Sequence, residues 1–311
     1  MYFIKSYRPI KKVVDIIFIQ TCTATSQNLF QCSAWTTIVA ILKTIATTAT
    51  VIFLLAIGNF TKYALQFGGN IKSVTSILQI CSVFAIYFAL QCDAIISQRN
   101  QVKFLNAIID IEINMIVKLH YYGDSCDAVI SKKFVRTLII ISLLFCVDML
   151  WVGLQVGYIE NLIAWDIFLF LFTDWILFLI IVIVIHICHL TKVIIVRYNI
   201  LNNMLEAELT LENLSMVRLK NIVNILEKLF RLNHYFGKYI RFQLLAVSVM
   251  DFIILTAVHF VFIADIASER NLGSTLVTYM GNMVSMVWKL FYLVASLDRL
   301  GNQVNRIIEL V

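Results

Sequence analysis

An all-α, polytopic helical membrane bundle is the fold class this sequence predicts, on three observations. Hydrophobic residues make up 60% of the 311 and charged residues 14%, against about 45–50% and about 25% in soluble domains. The bilayer must therefore solvate much of the chain. Six windows are apolar over about 20 residues, which is enough to cross about 30 Å of hydrocarbon at 1.5 Å per residue. None alternates as a barrel strand would, and the one proline, Pro9, lies outside all six.

The elements follow in order along one transmembrane helical domain, 1–311. The opening MYFIKSYRPIKKVVDIIFIQ is basic, but its apolar run is short, is broken by Asp15 and precedes no small-residue cleavage site, so the first span must direct insertion. Spans are predicted at about 36–57, 74–96, 137–158, 167–190, 243–263 and 275–297. Between spans two and three, and between four and five, the chain carries helical periodicity without proline. Leu105, Ile109, Ile113 and Ile116 recur in the first of these stretches, and Leu219, Ile222, Leu226, Leu229, Leu232 and Phe236 in the second. Span helices are thus expected to extend into the cytosol over about 98–136 and 198–242, with TLENLS at 210–215 the break in the second.

Orientation comes from Lys and Arg. With the N-terminus in the cytosol, 20 of the 25 basic residues fall inside, while Lys62, Lys72 and Arg270 fall outside and Lys43 and Lys289 lie within spans. Both termini are expected in the cytosol of a multi-pass plasma-membrane protein, the reverse of a G-protein-coupled receptor. The net charge of +6 follows from this retention and from contact with the lipid bilayer, and does not point to nucleic acid. Asn59-Phe60-Thr61 falls outside and makes Asn59 a glycosylation candidate. The seven cysteines form no CxxC pair, and disulfides are not expected of a chain placed this way.

Chemistry-bearing motifs are few. His186, Cys188 and His189 make an HxCH cluster with no second set to complete four metal ligands. No Walker loop, GxSxG or HExxH occurs, so neither an enzyme nor a cofactor is predicted. Ionisable groups inside spans are the informative residues, since each costs about 2.5–3.5 kcal/mol on insertion scales. Asp148, Asp174, Asp251, His259 and Lys289 are of this kind. Asp251 and His259 stand eight apart on one helix face. His259 with Trp151, Asp174 or Trp175 could line an outward-facing pocket whose aromatic walls hold a small organic ligand. The same groups also suit hydrogen bonding between helices, and Lys43 and Lys289 suit snorkelling or internal pairing.

The decapeptide RLNHYFGKYI, 231–240, stands before the fifth span. Gly237 there suggests close packing or a bend, and Tyr235 and Tyr239 suit the membrane interface. With Leu232-Asn233 and Phe236-Gly237, this phrase resembles the element that joins a long cytosolic helix to span five in the insect gustatory receptor family. NAIIDIE after span two and HLTKVIIVRYNILNNML after span four resemble other parts of that family in the same order. The resemblance implies a ligand-gated cation channel subunit that detects small organic tastants, in a homo- or hetero-tetramer with other gustatory receptor subunits. It also implies a seventh helix lining the pore and ending in T-Y-h-h-h-h-h-Q-F, where h is apolar. These residues hold no such motif and close on ASLDRLGNQVNRIIELV. The alternatives are a non-conducting partner or truncated product of such a receptor, and a secondary transporter. A six-span channel would need a pore loop between spans five and six, where only about 11 residues stand.

Overall fold

Hydrocarbon offers the backbone no hydrogen bonds, so a chain inside it must satisfy its own, and the α-helix does so within one segment. A computed structural model describes residues 3, 6–7, 10–11, 22–24, 29–57, 70–121, 126–157, 164–210, 215–267 and 272–310. They are almost wholly helical: α1 (Ala34–Ile57), α2 (Asn70–Ile96), α3 (Gln98–Leu119), α4 (Cys126–Gly157), α5 (Ala164–Leu209), α6 (Met216–Ala267) and α7 (Leu272–Leu310), preceded by the short strands β1 (Cys22–Ala24) and β2 (Phe30–Cys32). Among the described residues, four stretches are long and apolar enough to cross a membrane. They lie in α1 (Ala34–Phe53), α5 (Leu171–Leu209), α6 (Met216–Ala264) and α7 (Tyr279–Glu309), and a fifth results if the bent α2–α3 pair is taken as one span.

The bundle is built around α5. Its sequence is apolar on all sides, and from Ile176 to Ile194 nearly every residue is buried, as an all-round apolar helix must be when neighbours surround it. It packs against α1, α2, α4, α6 and α7. At 46 residues α5 is about 69 Å long, and at 52 residues α6 is about 78 Å. Both are more than twice the hydrocarbon thickness of about 30 Å, so each continues well beyond a bilayer. The surrounding helices turn apolar side chains outward, including Trp35, Leu42 and Phe53 on α1, Ile139, Leu143 and Leu150 on α4, and Phe291 on α7.

The polar ends of the long helices are tied by pairs rather than by apolar mass alone. Asn202 meets Gln303 at 3.4 Å and Arg306 meets Glu206 at 2.6 Å, joining α5 to α7. Lys228 of α6 meets Asp110 of α3 at 2.7 Å. The helix of α5 stops at Leu209, immediately before TLENLS. Ser215 then caps α6, its hydroxyl accepting from the Arg218 amide at 3.4 Å. Along α6, Ile222, Leu226, Leu229, Leu232 and Phe236 are all 3% exposed or less, so the three-and-four spacing read from the sequence is a buried face.

Three features differ from the sequence reading. The helix expected over 98–136 is two helices. α3 closes at His120, whose φ of 52° is left-handed, and the Tyr121 amide turns back to the Met115 carbonyl at 3.2 Å. α4 then begins afresh at Cys126, so 126–136 continues into expected span three rather than out of span two. α2 meets α3 at 62° across Ser97, where neither proline nor glycine stands.

The second difference is at the amino end. β1 and β2 pair antiparallel, with Cys22 opposite Cys32. Asn106 of α3 completes the edge of β2 as a peptide group would, accepting from the Phe30 amide at 2.8 Å and donating to its carbonyl at 2.9 Å. Phe3, Tyr7 and Ile10 are 1% exposed or less. Phe3 and Tyr7 stack at 5.1 Å, and the Phe3 amide donates to the Glu112 carboxylate at 3.3 Å. The Arg197 guanidinium lies 5.6 Å from the Phe3 ring centre.

The third concerns RLNHYFGKYI, which is neither a turn nor a close approach but the uninterrupted middle of α6. A Cβ on Gly237 would meet nothing within 4 Å. Tyr239 is buried; it stacks on Phe104 at 5.8 Å and accepts from the Gln101 amide nitrogen at 3.4 Å.

Candidate functional site

The polar groups on the apolar parts of α6 and α7 form a seam of two contacts. α6 carries Asp251 and His259, two turns apart and on roughly one face. α7 runs the opposite way beside it and carries Tyr279 and Lys289, so the order of contacts reverses: His259 meets Tyr279, and Asp251 meets Lys289.

The inner contact is ionic. Lys289 Nζ stands 2.6 Å from Asp251 Oδ1, and the two side chains are only 8% and 4% exposed. Each charge alone would be costly in hydrocarbon, and their proximity cancels most of the field. Asp251 Oδ2 accepts no hydrogen bond among the described residues, so the carboxylate is neutralised through one oxygen.

The outer contact is a hydrogen bond between His259 and Tyr279. His259 Nδ1 lies 2.7 Å from the Leu255 carbonyl, which can only accept, so Nδ1 bears the hydrogen. In the neutral tautomer Nε2 is then the acceptor for the Tyr279 hydroxyl, 3.0 Å away. This assignment follows from the hydrogen-bond network. Tyr279 stacks on Phe262 at 4.2 Å and meets the His259 ring edge-on at 5.3 Å. Both partners are half-buried, and an aromatic wall with an adjustable donor and acceptor is the kind of surface that orients a small organic molecule.

The other candidates fall elsewhere. Trp175 of α5 packs against Phe178 at 5.6 Å and Phe145 of α4 at 6.1 Å, and is 40% exposed. Asp174, beside it, is half-buried. No ring contact or hydrogen bond joins the Trp175 cluster to His259 and Tyr279 among the described residues. Asp148 and Trp151 belong to α4, and their side chains lie outside the described set, as does Asn59. No group of three or more metal-capable side chains occurs among the described residues. His186 of the HxCH cluster is instead packed between the rings of Tyr7 and Phe134, at 6.3 and 6.4 Å.

Tyr279 is the site residue that sequence reasoning missed. Its hydroxyl stands in span six at the depth at which His259 stands in span five, and that match was the available signal. At the other end of α6 the RLNHYFGKYI segment forms a joint with its neighbours. Asn233 donates to the Tyr198 hydroxyl of α5 at 2.7 Å, and Phe236 packs on Phe104 of α3 at 5.2 Å.

Long apolar helices, outward-facing apolar side chains and a charge pair hidden between two of the helices define a helical membrane protein. No protein-family model matches the chain, and no curated protein matches it in sequence.

Proposed function

We infer that the chain is a subunit of a chemosensory receptor of the gustatory type, crossing the plasma membrane six times within these residues with its N-terminus in the cytosol. It works with other such subunits, as a homo- or hetero-tetramer, in a ligand-gated cation channel that responds to small organic tastants. The observation that carries the reading is the joint at 231–240. The residues that give the segment its family resemblance, Leu232, Asn233 and Phe236, are those that lock α6 to α3 and α5.

In this reading the tastant occupies the outer half of the bundle. His259 and Tyr279 exchange their mutual hydrogen bond for bonds to the ligand, and the Phe262 ring, stacked on Tyr279, supplies a wall. α6 carries the rearrangement to the joint because it is one helix from His259 to Leu232.

The test is a ligand-evoked cation current in cells expressing the chain, alone and together with a complete seven-span homologue. Current in either setting supports the reading, and current only with the homologue makes this chain the non-conducting partner. His259→Ala is expected to shift the dose response at unchanged surface expression. An unchanged dose response would remove His259 from the site. Absence of current in both settings, with uptake of a labelled solute by vesicles carrying the chain alone, would replace the reading with a secondary transporter.

A further inference from the structure

α4 and α7 both pack against α5, and between them, floored by α5, lies a cavity of about 320 Å³. Its walls are apolar, with Ile130 and Phe134 from α4, Ile185 and Ile195 from α5, and the Tyr292 ring from α7. Its charged groups are all cations, namely Lys133, Lys192 and Arg299, and no acidic side chain lines it. None of the three makes an ion pair among the described residues. Lys192 is held by the Tyr292 hydroxyl at 2.5 Å, which aims a positive charge without neutralising it. The nearby Asp298 does not line the cavity and is bonded to Asn302 at 3.2 Å.

Two further observations say what such a cavity takes. His189, 4% exposed, also lines it, and its ring can donate a hydrogen bond there. The cations also share one level. Lys133 lies four residues before expected span three, and Lys192 and Arg299 lie two residues past the ends of spans four and six. That is headgroup height at one face of the membrane. Along the same face of α4 the chain continues into the hydrocarbon with Ile140 and Leu144, both exposed.

We propose that this cavity is a binding site for an anionic phospholipid. The phosphate sits among Lys133, Lys192, Arg299 and His189, and the acyl chains lie along Ile140 and Leu144. A zwitterionic lipid brings an ammonium group into a cavity that offers no carboxylate, whereas an anionic headgroup meets cations on every charged wall. A soluble phosphate compound satisfies the cations but leaves the apolar track uncovered. The site needs no tastant and is independent of the chemosensory reading.

Native mass spectrometry of the purified chain in detergent tests the proposal, with phosphatidylcholine, phosphatidylserine, phosphatidylinositol 4,5-bisphosphate and soluble inositol trisphosphate as probes. The anionic lipids are expected to be retained at least about tenfold over phosphatidylcholine, and the soluble headgroup to bind weakly. The double variant Lys133→Gln/Arg299→Gln should lose that preference, while Lys132→Gln, an exposed neighbour outside the cavity, should keep it. Equal retention of phosphatidylcholine by the native chain overturns the proposal, and that result needs no variant to fold. Soluble headgroup binding as strong as that of the lipid overturns the lipid assignment. A folded double variant, with native helicity by circular dichroism, that keeps the full preference overturns the placement at these residues.

Discussion

The two contacts of the α6–α7 seam join the same helices, yet one is a charge pair at 2.6 Å with both side chains under 10% exposed, and the other is a half-buried hydrogen bond at 3.0 Å. The first is too costly to open, because either partner left alone is an uncompensated ion in a dry setting. The second can be exchanged for another donor or acceptor at little cost. A receptor needs both kinds of contact, one to keep two helices in register and one that a ligand can rearrange.

The comparison breaks first at Lys289. Lys289→Met alone should destabilise the chain by about 3–5 kcal/mol, while Asp251→Leu/Lys289→Met together should recover most of that loss. Thermal unfolding in detergent reads both. If the single change is as mild as the double one, the pair is hydrated and the inner contact resembles the outer. At the outer contact, Tyr279→Phe removes one hydroxyl beside a half-buried imidazole and should cost about 1 kcal/mol. A loss as large as that of Lys289→Met would mean that the outer contact is as structural as the inner one. The smallest effect should lie outside the seam and have the opposite sign. Gly237→Ala places a methyl in open space on a helix interior and should stabilise α6 by up to about 1 kcal/mol. Lost stability there would restore the bend that the decapeptide suggested in the sequence.

What could be read from the sequence follows from periodicity and cost. The apolar windows announce membrane helices because each is a continuous run, and the buried face of α6 was legible because Leu219 to Phe236 recur at three and four. Asp251, His259 and Lys289 were conspicuous because charge or polarity in an apolar run is expensive. Their partners were not legible, since whether Lys289 snorkels or pairs depends on the register of α7 against α6, which neither helix encodes alone. β1 and β2 carry three residues each, too few for any period, and gain their place from Asn106, more than seventy residues away. The burial of Phe3, Tyr7 and Ile10 is likewise long-range. The break after α3 rests on one left-handed residue, His120, at which the sequence offers histidine where glycine or asparagine is the usual signal.

Beneath the functional reading lies the claim that the long ends of α5 and α6 stand in the cytosol with the N-terminus. Epitope tags placed after Met1 and between Leu211 and Glu212 test it in cells expressing the chain. The account predicts that antibody reaches both tags only after the plasma membrane is permeabilised. Staining of either tag on intact cells would contradict the orientation, and with it the cytosolic joint on which the receptor reading stands.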